Sequence, residues 1–244
     1  MLNVEGLTIR VGARAIVTDF SCTLEQGRIT CLIGPSGCGK TSVLKWLAGI
    51  LPPAITADGA ITLDGQPIVR PHPDLAYQPQ SDALFPWLSI AGNAALGLEM
   101  AGRSRKAARA EVVAHFGAFG LAGCEDLYPE QISGGMRQRA AFLRTIVQDS
   151  RFVLLDEPFS ALDAVTRLRM QDWLCARLEA SPRGVLMVTH DLHEATQMAD
   201  RILVMSAGPG PLVADIPILT PRESRTEAAL AETRTLLKSL LLET

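Results

Sequence analysis

The sequence predicts an α/β fold, a mostly parallel sheet with an inserted α-helical subdomain, on three observations. Short unbroken apolar runs at 28–33, 152–155, 185–188 and 202–205 have strand length without alternation, the pattern of parallel strands buried on both faces. Helical patterns lie between the later runs, as crossover connections require. From residue 86 to about 132 the strand signals stop, and the chain becomes Ala-rich and helical with glycine breaks. The division that follows is a core of 1–79 and 136–220, a helical subdomain of 80–135 and a helical tail of 221–244.

Taken in order, 2–11 alternates roughly as a half-buried strand, and 28–33 is isolated as another by Gly27 and Gly34. A helix over 40–51 places Val43, Leu44, Leu47 and Ile50 on one face, with Pro52 and Pro53 as its stop. Asp64-Gly65 is the dipeptide of a tight hairpin turn between 60–63 and 66–68, and 75–77 is a brief strand. Within the helical region, 104–116 offers Val112, Val113 and Phe116 as a packed face. The tail is an amphipathic helix over 226–243 with Leu230, Leu236, Leu237, Leu240 and Leu241 as its apolar side.

Composition narrows the function. The 244 residues carry 23 basic and 26 acidic side chains, a formal charge of −3, which is the wrong balance for coating nucleic acid. No nucleic-acid partner is expected. No stretch approaches the ~18 apolar residues of a membrane span, and the N-terminus shows no signal peptide, so a cytoplasmic location is expected. The five cysteines are scattered without a C-x-x-C pair, which argues for buried thiols rather than a zinc site.

The chemistry is concentrated in two motifs. Gly34-Pro35-Ser36-Gly37-Cys38-Gly39-Lys40-Thr41 matches G-x-x-x-x-G-K-[ST] and stands between a predicted strand and a predicted helix. Its glycines allow a nest of N–H groups around phosphate oxygens, Lys40 adds a point charge for the β- and γ-phosphates, and the Thr41 hydroxyl suits Mg²⁺. The apolar run 152–155 ends in Asp156-Glu157, at the carboxyl edge of the sheet where the phosphate loop also lies. There Asp156 is expected in the Mg²⁺ sphere, and Glu157 as the group that accepts a proton from, or orients, the attacking water.

Ile132-Ser133-Gly134-Gly135-Met136-Arg137-Gln138-Arg139 resembles the signature of ABC-type ATPases. Ser160-Ala161-Leu162-Asp163 resembles the family's D-loop, Val188-Thr189-His190-Asp191 its switch-histidine motif, and Tyr77-Gln78 its Q-loop. The resemblance implies a P-loop NTPase core of the ABC type with an antiparallel β portion, binding ATP and Mg²⁺ and hydrolysing ATP. It implies nucleotide contacts from Gly34, Pro35, Ser36, Gly37, Cys38, Gly39, Lys40, Thr41 and Ser42. It further implies a head-to-tail homodimer in which Ser133, Gly134, Gly135 and Asp163 of one copy meet the nucleotide of the other. His190 would hydrogen-bond the γ-phosphate, and Gln78 would sense the Mg²⁺ and the attacking water. Met136 stands where the commonest signature has Gln, leaving the Ser-Gly-Gly core untouched. The aromatic ring that the family stacks on adenine has no counterpart at Val11-Gly12, which leaves Val11 as an apolar contact.

Leu84-Phe85-Pro86-Trp87-Leu88 resembles the corresponding stretch of nitrate, sulfonate and taurine importer ATPases, and fits either a groove for a membrane partner's helix or packing within the subdomain. The resemblance implies an importer's ATPase subunit, peripheral on the cytoplasmic face of the cell membrane. Its partners would be a separate permease and, indirectly, a solute-binding protein. The alternative is a soluble ABC ATPase of an assembly system such as iron–sulfur cluster building, distinguished by its partner.

Overall fold

A computed structural model describes residues 1–242. The chain opens with β1 (Leu2–Val11), β2 (Arg14–Leu24) and β3 (Ile29–Ile33), followed by α1 (Lys40–Ala48), β4 (Ile55–Leu63), β5 (Gln66–Pro67) and β6 (Leu75–Gln78). Then come α2 (Ile90–Met100), α3 (Arg105–Phe116) and α4 (Gly134–Ile146), and after them β7 (Phe152–Asp156), α5 (Ala164–Ala180) and β8 (Gly184–Val188). The chain finishes with α6 (Leu192–Met198), β9 (Arg201–Met205), β10 (Leu212–Pro217) and α7 (Glu227–Leu242).

Two sheets form. β2-β1-β4-β5 is antiparallel, and β10-β9-β3-β8-β7-β6 is parallel except for the antiparallel edge strand β10. Every residue of β3, β7 and β8 is buried, as their unbroken apolar runs require. Successive side chains point to opposite faces, so each strand feeds two cores. Ile29, Cys31, Val153, Leu155, Val185 and Met187 face α2 to α7. Leu32, Phe152, Leu154, Leu186 and Val188 face α1 and the antiparallel sheet.

The differences from the sequence expectations have local causes. β2 escaped detection because its buried residues Val17 and Phe20 are three apart, not two. The β1–β2 register shifts between Leu7–Phe20 and Ile9–Val17, a bulge that breaks the alternation. α1 ends at Ala48 rather than at 51: Gly49, in the left-handed region at φ 73°, donates to the carbonyl of Trp46, and Ile50 lies beyond the helix, exposed. β10, a half-exposed edge strand closed by Pro217, follows a Gly/Pro-rich turn that hides it. In α3, Val112 and Phe116 are buried with Ala108, whereas Val113 only borders the core.

In α7, Leu230 and Leu237 are buried and Leu240 and Leu241 pack against the core, but Leu236 is exposed. Glu243, expected at that helix's end, lies outside the described residues. The tail grips α6 from its own chain. Arg222 donates to the carbonyl of Met198 and to Asp200, and Arg225 to those of Thr196 and Gln197. Arg234 donates to the Thr196 hydroxyl. Three consecutive carbonyls at the C-terminus of a seven-residue helix, unsatisfied within it, are thereby capped by tail arginines.

Candidate nucleotide site

The strand order explains how distant motifs meet. β8 lies between β3, which leads into the phosphate loop, and β7, which ends in Asp156. The carboxyl ends of these strands are tied by backbone bonds from Glu157 N–H to the Val188 carbonyl and from Thr189 N–H to that of Leu32. Phosphate loop, carboxylates and His190 therefore converge on one sheet edge.

Residues 34–39 form the loop and α1 starts at Lys40, so the helix N-terminus points into it. Gly39 has φ 104°, and a Cβ there would lie 2.4 Å from Val17 Cγ2, so both backbone shape and space demand glycine. Cys38 is fully buried, its Sγ 3.7 Å from Lys40 Nζ, and Lys40 Nζ also donates to the carbonyls of Gly34 and Pro35, both at 2.8 Å. A cleft of about 250 Å³ is bounded by Ile16, Ser36, Gly37, Gly39, Lys40, Thr41, Ser42 and Glu157. Its apolar wall is Ile16, which the sequence reading missed. Val11 stands exposed at the end of β1.

Thr41 Oγ1 donates to Asp156 Oδ1 at 3.0 Å and Tyr77 Oη to Oδ2 at 3.4 Å. Burial, chiefly, raises the Asp156 pKa above its ordinary 3.8, with Glu157 adding to the rise and the Thr41 hydroxyl opposing it. A native carboxyl with a raised pKa favours the fold most at low pH, and that contribution is lost as pH rises through the raised value. At neutral pH, without nucleotide, Asp156→Asn is therefore expected to raise the melting temperature by a few degrees, read by calorimetry; a lower value would contradict the burial argument. Thr41 and Asp156 form an all-oxygen donor pair suited to a small hard divalent cation, which takes few protein ligands when phosphates complete its sphere.

Glu157 has φ 48°, left-handed for a non-glycine residue, and this turn carries its side chain off the strand. Its Oε2 lies 3.2 Å from His190 Nδ1 and accepts from Gln80 Nε2 at 3.0 Å. Here the sequence expectation needs correction. Gln78 is the last residue of β6, fully buried, and both its amide atoms lack a hydrogen-bond partner. Gln80, past Pro79 and off the strand, is the glutamine that reaches Glu157. The available signal was that proline, which ends strand pairing before the chain can leave the sheet edge.

The loop after Gln80 is fastened to the helices. Gln138 Nε2 donates to the Gln80 carbonyl at 3.4 Å, Arg137 to Asp82, and Arg144 to the carbonyls of Asp82 and Ala83. Asn93 binds Phe85 through both its N–H and its carbonyl. The rings of Phe85 and Trp87 meet at a tilt of 41°, centroids 5.2 Å apart, beside this strap, and Trp87 is 69% exposed. Ser133 caps α4, its Oγ accepting from Met136 N–H, and Asp163 caps α5, accepting from Thr166 N–H. Ser133 and Gly134 are exposed, and among the described residues neither they nor Gly135 bound the phosphate-loop cleft.

Sheet, phosphate loop and edge carboxylates define a P-loop nucleotide-hydrolysing cassette. The ABC transporter family model matches residues 17–160, more than half the chain, and the protein belongs to that family as an ATP-binding, ATP-hydrolysing subunit. Among its relatives is the taurine import ATP-binding protein TauB of Yersinia pestis bv. Antiqua, 39% identical over 87% of this chain and 82% of that protein. The TauB of Escherichia coli O157:H7 is 38% identical over 89% and 84%, and a putative ATP-binding protein of Brucella abortus is 37% identical over 93% and 86%. The dimeric bacterial ABC transporter cassette MJ0796 shares the fold at TM-score 0.80 and 22% identity, over 91% of this chain and all of that one. No helix among the described residues is long and apolar enough to cross a membrane.

Proposed function

We propose that this chain is the ATPase subunit of an importer for a small sulfonate-type solute, working as a head-to-tail homodimer against a separate permease. The observation that carries the reading is the 37–40% identity to taurine import ATP-binding proteins and a related ATP-binding protein, over most of both chains. The assembly-system alternative has no such support. On this reading the subunit is peripheral on the cytoplasmic face of the membrane, and a solute-binding protein delivers the solute to the permease.

The geometry supports the following roles. Lys40 and the loop N–H groups hold the phosphates. Thr41 and Asp156 would hold Mg²⁺, which neutralises phosphate charge when bound. Glu157 takes the proton of the attacking water, while His190 and Gln80 both hold its Oε2. Ser133, Gly134 and Asp163, exposed at helix N-termini, and the half-buried Gly135 face the nucleotide of the other copy. The exposed Phe85–Trp87 pair receives the permease, and the strap from Gln80 to α4 couples it to the signature.

The two glutamines separate experimentally. Gln80→Ala is expected to lower kcat about tenfold or more. Gln78→Leu, which removes a buried unpaired amide, should keep kcat and raise stability by about 1 kcal/mol. The reverse pattern in steady-state assays would return the sensing role to Gln78. For the importer reading itself, tagged Glu157→Gln captured from native membranes with Mg-ATP should bring down a polytopic permease. Recovery of soluble scaffold proteins alone would overturn it.

A further inference from the structure

We propose that the cavity between the turn after α3, the signature helix α4 and α5 binds a small tetrahedral oxyanion, a phosphate or a sulfonate, between Arg139 and Arg169. The cavity measures about 220 Å³ and is bounded by Gly117, Gly120, Arg139, Thr166 and Arg169, with Met170 among its apolar wall. At about 30 Å³ per water, it holds such an anion with several waters. No carboxylate lines it.

Of the six arginines on these two helices, three are partnered and three, Arg139, Arg169 and Arg177, are not, and of these three Arg139 and Arg169 line the cavity. Arg137 pairs with Asp82, Arg144 bonds the carbonyls of Asp82 and Ala83, and Arg167 pairs with Asp191. Arg139 and Arg169 make neither a hydrogen bond nor an ion pair to any described residue, and Arg139 Nε is buried without a partner. Two guanidiniums therefore line one cavity with no counter-charge between them, and one of them carries a shielded donor. An oxyanion in the cavity supplies the counter-charge that both guanidiniums lack, and the planar guanidinium fork matches phosphate and sulfonate geometry. The Thr166 hydroxyl and the glycine backbone at 117 and 120 let the ligand approach closely. A bound anion would pin the 117–120 turn to the helix that carries Ser133 and to the helix that Asp163 caps.

The site does not depend on the importer reading. Its test is equilibrium dialysis of labelled phosphate and, separately, labelled methanesulfonate against the full chain kept saturated with ADP, so that the phosphate loop is filled. The expected result is one equivalent bound, weakened about tenfold or more by Arg169→Gln. Arg169→Lys should retain the greater part, since the charge stays and the fork is lost. Tighter phosphate binding identifies free phosphate as the source; tighter methanesulfonate binding identifies a sulfonate solute. Failure of the native chain to bind either anion, or binding that Arg169→Gln leaves untouched, would overturn the proposal. Arg169 is exposed on α5, so its variants should fold, and Arg139→Gln is a second variant with the same expected loss.

Discussion

Glu157→Gln is expected to bind ATP with near-native affinity while hydrolysing it about 10²- to 10⁴-fold more slowly, the usual worth of a positioned general base. The substitution is nearly isosteric, and its amide oxygen can still take the place of Oε2, the atom that both Gln80 and His190 meet in the native carboxylate. What disappears is a group able to accept the water's proton. Because ATP is then held without turnover, the two-copy closed form should accumulate, and gel filtration with and without ATP reads that directly. Single-turnover hydrolysis at the native rate would remove Glu157 from the catalytic role.

Lys40→Ala should act one step earlier. Lys40 is the buried cation at the start of α1, inside a loop whose other donors are neutral N–H groups. Removing it takes away a charge-assisted contact to phosphate worth about 1.5–3 kcal/mol, hence a loss of ATP affinity of about 10- to 100-fold. Turnover should fall with it, since an unbound γ-phosphate meets neither Glu157 nor His190. Isothermal titration with ATP measures the loss; unchanged affinity would refute the loop assignment. The two variants thus separate binding from chemistry.

The sequence reveals those parts of the molecule whose physics is local. A parallel strand buried on both faces must be apolar throughout, so β3, β7, β8 and β9 are visible as runs, and the glycine loop announces itself because few other residues tolerate its backbone. Where the outcome depends on partners remote in sequence, the pattern misleads. Val17 and Phe20 share a face only because β2 bulges against β1. Gln78 and Gln80 are two apart and equally polar, and only the departure of the chain from the sheet at Pro79 decides which one meets Glu157. Ile16 borders the nucleotide cleft because the bulged hairpin folds over α1, a placement that no spacing rule anticipates. The two unpaired arginines of the oxyanion cavity are legible only as pieces, since Arg139 and Arg169 sit on different helices.

Two of the tail arginines, Arg222 and Arg225, hold α6 through its main chain, at the carbonyls of Thr196, Gln197 and Met198, while Arg234 meets the Thr196 hydroxyl. A grip on carbonyls does not read side chains, so that part of the anchor survives changes in the sequence of α6 that keep it helical, whereas the Arg234 bond needs a hydroxyl at Thr196. The same grip merges two segments that the chain separates. A seven-residue helix does not persist alone in water, so α6 depends on what packs against it, the tail included. His190, just before α6, therefore stands next to a helix whose far end is held by Arg222, Arg225 and Arg234, and amide exchange in α6 is expected to quicken when these arginines are removed.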